Sequence, residues 1–496
     1  MSPPSSPSPR DLRGRRVTVM GLGAFGGGEG VVRFLCERGA RVTVTDLKSE
    51  VDLAATLARL DGCPIESLHL GGHREEDFRD ADLVVVNPAV PRPNRFLEMA
   101  SAAGVELTSE MNLFIEHNRA AVAAVTGSIG KSTTTALLER MLAAAGMTTR
   151  LGGNIGRSLL SEVEEIRPQD LVVLELSSFQ LADLDRIRFR PDVAVVTNLR
   201  PNHLDWHRDL DDYRCAKQTV LRWQRVDDLA VLNADDADVS RWSTRGAVHW
   251  FGTHQVAAEL PAEDFAEDDF DVESPLPSDS EPAREGCFVH DMTLVTSRFS
   301  IDLRDGFALP GRHHARNAAA ACAAAMAMGA GDTAIRAALR DFQGLPHRLQ
   351  PLGTFHGRRF FDDSKATTPE AAMAALEAFE EPVVLLAGGY DKHVDLGPFS
   401  EAIAHKVKSV VLMGQTASEL ERRIRECLET GKGGRLRRDR INVAADFDSA
   451  CATAFAESSP GDAVVLSPGC ASYGWFNNYV ERGEAFAQAV SRWAAG

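Results

Sequence analysis

An α/β fold of three tandem domains is predicted by three observations. Val-rich apolar runs such as Leu171–Glu175 and 193–197 recur along the chain, as buried parallel strands do. Helical patterns separate these runs and give an alternating order. The 496 residues suffice for about three domains of roughly 150 residues each.

The first domain is expected over residues 14–117, after a disordered tail at 1–13 that is rich in Pro and Ser. Arg16–Met20 reads as a strand and runs at once into Gly21-x-Gly23-x-x-Gly26, with a helical pattern through 31–35. A second strand, Arg41–Asp46, ends on a carboxylate 20 residues beyond Gly26, and a third at 81–86 is stopped by Asn87-Pro88. This is a dinucleotide-type, Rossmann-like fingerprint, in which a pyrophosphate sits at the helix start. Taken alone it does not separate a nicotinamide cofactor from a UDP-sugar.

The central domain is expected over 118–345. A strand at 121–125 leads into Gly127-Ser128-Ile129-Gly130-Lys131-Ser132-Thr133 and then a helix through about Ala145. Backbone N–H groups of such a turn surround phosphate oxygens, Lys131 reaches the β/γ-phosphates, and the Ser132 or Thr133 hydroxyl binds Mg²⁺. The usual P-loop pattern places its first glycine where Val125 stands, so this loop is a shorter variant. Residues 256–286 carry eleven acidic residues with Pro and Ser, and read as a solvated insertion or long loop. An alanine-rich helix is expected from about Ala315 to Met328. The third domain, 346–496, repeats the α/β order with strands at 382–387, Ser409–Met413 and 463–467.

Composition excludes several function classes. A net charge of −17 makes a nucleic-acid backbone an unsuitable partner. No run of 18 uncharged apolar residues is present, so no membrane span is expected. The start lacks the apolar stretch of a signal peptide. The eight cysteines include no CxxC pair, which fits a reducing, cytoplasmic compartment and argues against zinc or a disulfide framework.

Eight short motifs in order resemble the Mur ligase family, in its D-glutamate-adding branch, from residue 14 to the end. They are Glu175-Leu176-Ser177-Ser178-Phe179-Gln180-Leu181, the segment from Asn198 to His203-Leu204-Asp205, Tyr213-Arg214-Cys215-Ala216-Lys217, and Leu309-Pro310-Gly311-Arg312-His313. Gly344-Leu345-Pro346-His347-Arg348, Asp363-Ser364-Lys365-Ala366-Thr367, Gly388-Gly389-x-Asp391-Lys392 and Ser467-Pro468-Gly469-Cys470-Ala471-Ser472 complete the set. The resemblance implies a three-domain architecture with a Rossmann-like first domain, a P-loop-type ATPase centre and a Rossmann-like third domain. It implies ATP-dependent joining of D-glutamate to UDP-N-acetylmuramoyl-L-alanine through an acyl phosphate, for peptidoglycan synthesis, with Mg²⁺ as cofactor.

The same resemblance implies the site. Lys131, Glu175, His203 and Lys217 are the expected catalytic groups; Ser132, Thr133, Glu175, His203 and Lys217 hold metal, with Lys217 carbamylated. Gly127, Ser128, Ile129, Gly130, Lys131, Ser132, Thr133, Asn317, Arg348 and Asp363 bind ATP. The UDP-substrate is assigned to Gly23, Ala24, Phe25, Gly26, Asp46, Lys48, Asn154 and Ser177. D-Glutamate, with two carboxylates, is assigned to Lys365, Thr367, Lys392, Ser472 and Tyr479. Outside the resemblance, Lys217 reads as a surface lysine on a helix and Asp363 as a helix cap. Ile129, His314, Lys48 and Asn87 depart from the family's usual residues. The partners implied are small molecules only, with the chain acting as a monomer. A related ligase using L-glutamate, a nicotinamide-dependent oxidoreductase and a non-catalytic nucleotide-binding regulator are the alternatives. The oxidoreductase leaves 126–217 unexplained, and the regulator is disfavoured by the presence of Lys131, Glu175 and Lys217.

Overall fold

The computed structural model describes residues 10–22, 27–88, 90, 92–155, 158–201, 206–253, 285–309, 311–391, 394–431 and 433–495. They pack into two compact units, one of Met1–Asp302 with Arg316–Ala338, the other of Leu303–Ala315 with Leu339–Gly496.

The first unit holds two sheets. The first consists of β1 (Arg16–Met20), β2 (Arg41–Asp46), β3 (Ile65–Leu70), β4 (Leu83–Val86) and β5 (Glu106–Thr108), all parallel in the order β3-β2-β1-β4-β5. Both faces are covered, because alternate residues enter opposite cores: Val17, Val19 and Val85 one, Met20, Val84 and Val86 the other. Strand order reverses between β1 and β4, which opens a crevice at their carboxyl ends.

The second sheet has nine strands: β6 (Ala121–Thr126), β7 (Thr149–Gly153), β8 (Leu171–Glu175), β9 (Val193–Val196), β10 (Leu229–Asn233), β11 (Ala247–Gly252), β12 (Gly286–His290), β13 (Thr293–Thr296) and β14 (Ser300–Asp302). Their order is β14-β13-β12-β11-β10-β9-β6-β8-β7, parallel from β7 to β12 and antiparallel through β13 and β14. The sequence reading did not foresee β10 to β14. Most of the expected acidic insertion lies outside the described residues, but Gly286, its last residue, already pairs in β12. The helix Arg312–Ala327 carries Ala318 to Ala325 fully buried, none more than 1% exposed.

The second unit is built on β15 (Gln350–Phe355), β16 (Arg358–Asp362), β17 (Val383–Gly388), β18 (Ser409–Met413), β19 (Ile441–Val443) and β20 (Ala463–Leu466). The order is β15-β16-β20-β17-β18-β19, with only the β15–β16 pair antiparallel. Strict alternation sends Phe361, Leu385 and Ala387 to one core and Phe360, Val384 and Leu386 to the other. This unit also takes in Leu303–Ala315, which the sequence reading places in the central domain.

Residues 10–13, counted in the expected tail, are built into the fold. Leu12 is buried in the first core, and Arg10 pairs with Glu116 at 2.5 Å and also with Glu106. An apolar residue two positions beyond an arginine with two carboxylate partners anchors the chain despite the Pro/Ser-rich composition before it.

Candidate active site

The phosphate loop joins β6 to the helix Lys131–Ala144. Gly127 and Gly130 take φ of +139° and +86°, conformations that only glycine adopts cheaply. A Cβ at Gly127 would overlap Thr197 Oγ1, and one at Gly130 would overlap Asn317 Oδ1. The expected neighbours Asn317 and Gly130 are therefore brought together.

The loop is held through its backbone by the segment after β9, the strand beside β6. Asn198 Oδ1 accepts from Ile129 N at 2.9 Å, and Asn198 Nδ2 donates to Ile129 O at 2.9 Å. Thr197 Oγ1 donates to the same carbonyl at 2.6 Å. Ser128 Oγ donates to Arg200 O at 2.9 Å, accepts from Arg200 N at 2.8 Å and lies 3.0 Å from Tyr213 OH. The Ile129 side chain is 46% exposed, so the loop's shape is set without it. Lys131 Nζ donates to Ser128 O at 2.9 Å. Ser132 and Thr133 are buried in a first helical turn that carries no acidic residue, which leaves the positive helix end for an anion.

Glu175 ends β8, in register with Val125 of β6 and Gly153 of β7. It is only 2% exposed; Oε1 accepts from Asn154 Nδ2 at 3.1 Å, and Oε2 is buried with no hydrogen-bond partner among the described residues. A buried, unpaired carboxylate oxygen is costly and suits a cation. Lys217 lies on the helix Leu210–Arg222, whose start Asp209 caps by accepting from Asp212 N. Far from lying on the surface, it is 1% exposed, donates to Gly127 O at 2.8 Å and sits 4.7 Å above the Tyr213 ring. Burial, and then the Lys131 charge, push its pKa well below the usual lysine value, against the pull of Glu175.

His203 lies outside the described residues, and among those described no three His, Cys, Asp or Glu side chains converge as a metal cluster. Nearby His207 is buried between Ser178 Oγ, 2.9 Å from Nε2, and Asp212, with Phe179 stacked on its ring. Ser177 caps the helix Ser178–Leu184, exchanging bonds with Gln180 in a capping box.

In the first sheet, Gly23, Ala24, Phe25 and Gly26 lie outside the described residues. Asp46 at the end of β2 accepts from Leu22 N and Lys48 N, both at 2.9 Å. It fixes the entry to the glycine turn, and Lys48 beside it is exposed. Asn87, after β4, donates to Gly21 O at 3.3 Å. The ends of β1, β2 and β4 are thus tied at the crevice.

In the second unit, Asp363 follows β16 and is buried, accepting from Ser467 Oγ at 2.6 Å and from Leu349 N at 3.1 Å. It caps no helix; burial pushes its pKa up to about 7, opposed by those bonds and by the Arg348 charge. The Arg348 charge also bears on His314, a buried ring with neither nitrogen hydrogen-bonded among the described residues. Burial above all, with the His313 and Arg348 charges, holds His314 neutral.

The candidate amino-acid residues gather around a group the sequence reading missed. Arg482 is 2% exposed and donates to Ser364 Oγ, Ser364 O and Cys470 O at 2.9, 2.8 and 3.1 Å. It clasps the segment bearing Lys365 and Thr367 to the one leading to Ser472, while Ser364 Oγ donates to Tyr479 O at 2.8 Å. The Lys365 ammonium lies 5.8 Å from the Tyr479 ring centre. Lys392 lies outside the described residues.

Known proteins match this arrangement along the chain. Residues 15–109 match the Mur ligase MurD-like N-terminal domain, 125–325 the Mur ligase middle domain, and 347–470 the Mur ligase glutamate ligase domain. A UDP-N-acetylmuramoylalanine--D-glutamate ligase of Roseiflexus sp. (strain RS-1) is 40% identical over 485 residues, 97% of this chain and 99% of its own. One of Symbiobacterium thermophilum is 38% identical, covering 96% of this chain and 97% of its own. The solved UDP-N-acetylmuramate-alanine ligase of Thermotoga maritima shares the fold, with a TM-score of 0.59 at 19% identity over 96% of this chain and 99% of that one. On these matches, which run through all three sheets, the chain belongs to the Mur ligase family.

Proposed function

We propose that this enzyme joins D-glutamate to UDP-N-acetylmuramoyl-L-alanine at the expense of ATP, in peptidoglycan precursor synthesis. The carrying observation is the braced phosphate loop, with Glu175 Oε2 unpaired at the next strand end and Lys217 buried against Gly127. The names of the relatives support the choice of substrates.

Two anions must meet in the first step, the muramoyl-alanine carboxylate and the γ-phosphate. The carboxylate oxygen attacks phosphorus, ADP leaves, and an acyl phosphate forms. The amine of D-glutamate, having lost a proton, then attacks the acyl carbon, the amide bond forms and phosphate departs. Lys131 and the loop N–H groups hold phosphate oxygens in place, and the helix end adds fixed positive potential.

Glu175, the Ser132 and Thr133 hydroxyls and Lys217 fit Mg²⁺, since the first offers a buried oxygen with no partner among the described residues and the last is a buried amine whose charged form burial disfavours. When bound, Mg²⁺ supplies the positive charge that cancels repulsion between the two anions. Carbamylation also proceeds from the neutral amine: its nitrogen attacks CO₂, one proton is released, and the neutral group becomes an anion. His203 is assigned to the same metal by motif alone.

Asn317 belongs to the ATP site through Gly130, and Arg348 and Asp363 to the nucleoside. Asp46, Lys48, Asn154 and Ser177, with Gly23, Ala24, Phe25 and Gly26, take the UDP-substrate. Lys365, Thr367, Lys392, Ser472 and Tyr479 receive the amino acid's carboxylates. No helix among the described residues is long and apolar enough to cross a membrane; a monomer working in the cytoplasm on three water-soluble substrates is part of the proposal.

The test is phosphate release from ATP with UDP-N-acetylmuramoyl-L-alanine and either D- or L-glutamate. Release that requires D-glutamate is expected. Release with L-glutamate alone transfers the enzyme to another branch of the family, and release with neither overturns the reading.

A further inference from the structure

At the amino-terminal edge of the nine-stranded sheet lies a cavity of about 440 Å³ into which five arginines project from three segments: Arg188 and Arg190, Arg222 and Arg225, and Arg245. On a chain of net charge −17 this concentration is anomalous. Two of the five are neutralised. Arg190 donates twice to Asp228, at 2.6 and 2.7 Å, and Arg222 donates to Asp185 at 2.7 Å. The other three have no carboxylate partner: Arg188 lies 5.3 Å over the Trp223 ring, and the Arg225 and Arg245 guanidinium groups make no ion pair or hydrogen bond among the described residues. The one carboxylate lining the cavity, Asp192, is turned to the backbone, accepting from Val122 N at 2.8 Å.

Three exposed guanidinium groups brought to one concavity repel each other, and none is offset by a carboxylate among the described residues. Planar forks on separate segments match phosphate oxygens bidentately. The carboxyl end of the helix Leu210–Arg222 also reaches the cavity and opposes an anion with about half a charge, which three unpaired cations outweigh. The volume admits more than one phosphate group.

This place is separate from the phosphate loop. The start of β6 lines the cavity and its far end feeds Gly127, roughly 17 Å away for a six-residue strand. We propose that the cavity is a second anion site, for a small molecule carrying two adjacent phosphate groups.

The test uses inorganic pyrophosphate without Mg²⁺, titrated calorimetrically into full-length protein carrying Lys131→Ala to weaken the phosphate loop. One binding event is expected, with quenching of indole fluorescence that Trp223→Phe removes. Adding Arg225→Gln and Arg245→Gln, both exposed, should weaken binding at least tenfold and leave the melting temperature unchanged. The proposal is overturned by the absence of binding at millimolar pyrophosphate in the Lys131→Ala protein, or by an affinity that the two glutamines do not change. Neither result touches the ligase reading, which rests on turnover.

Discussion

The Asn198 side chain holds both the N–H and the C=O of Ile129, each at 2.9 Å, so that one amide clamps the middle of the phosphate loop. Asn198→Ala removes both bonds at once. At about 1 kcal/mol each, kcat/KM for ATP should fall roughly thirtyfold, with the melting temperature changed little. Ile129→Asn should leave kcat/KM within about threefold, because the clamp grips backbone. Steady-state kinetics of the two variants check this, and a larger loss at Ile129 than at Asn198 would refute it.

Lys217→Ala should lose about a thousandfold in turnover, since the buried group facing Gly127 O disappears from the cation site. If the working form is the carbamate, a short carboxylic acid such as acetate should restore part of that activity. A variant that stays inactive at high acetate, while still binding ATP, removes the main support for carbamylation.

Asp363 should make nucleotide affinity depend on pH. Its carboxyl is raised from 3.8 to about 7 in the folded protein, so the native state keeps a proton that the unfolded chain has lost. Its contribution to stability is therefore fully present below 3.8 and is lost as pH rises through 7. Accepting a ribose hydroxyl proton favours the ionised form, so ADP affinity should rise about tenfold from pH 6 to pH 8. Calorimetric titration of wild type against Asp363→Asn isolates the effect, because the nucleotide's own ionisation is common to both. Parallel profiles would exclude Asp363 from the nucleoside site.

Arg482→Ala should destabilise the second unit by about 3 kcal/mol, because two carbonyls and a hydroxyl lose their buried donor. Its KM for D-glutamate should also rise, since Lys365 and Ser472 sit on the segments it clasps. Urea unfolding and amino-acid-dependent kinetics measure the two effects. A stability loss with KM unchanged would confine Arg482 to folding.

Much of this was legible in sequence. Continuous Val-rich runs located β1, β2, β4, β6, β8, β9, β17, β18 and β20 to within a residue or two, since strands buried on both faces admit little else. β12 to β14 were missed because they are only three to five residues long, and β13 and β14 interrupt their apolar residues with Thr, Ser and Asp. Lys217 and Arg482 illustrate a signal that was present but unused. Tyr213, Lys217, Val220 and Leu221 share a helix face at spacings of four, three and one, and all are buried. Arg482, Phe486, Ala489 and Val490 repeat the pattern. A cation in the middle of an apolar stripe is placed inside by its neighbours. What sequence could not reveal is which atoms Asn198 and Thr197 would meet, because those bonds cross between strands adjacent only in space.

The alanines from 318 to 325 act as a spacer one carbon thick. A methyl group has no rotamers with which to absorb an error, so the standing height of this helix above its surroundings is set almost as rigidly as a bond length. Asn317, riding at one end, inherits that tolerance at Gly130. Turnover can therefore be detuned from the blandest stretch of the chain, where one added ethyl or isopropyl group would shift the Asn317 amide away from Gly130.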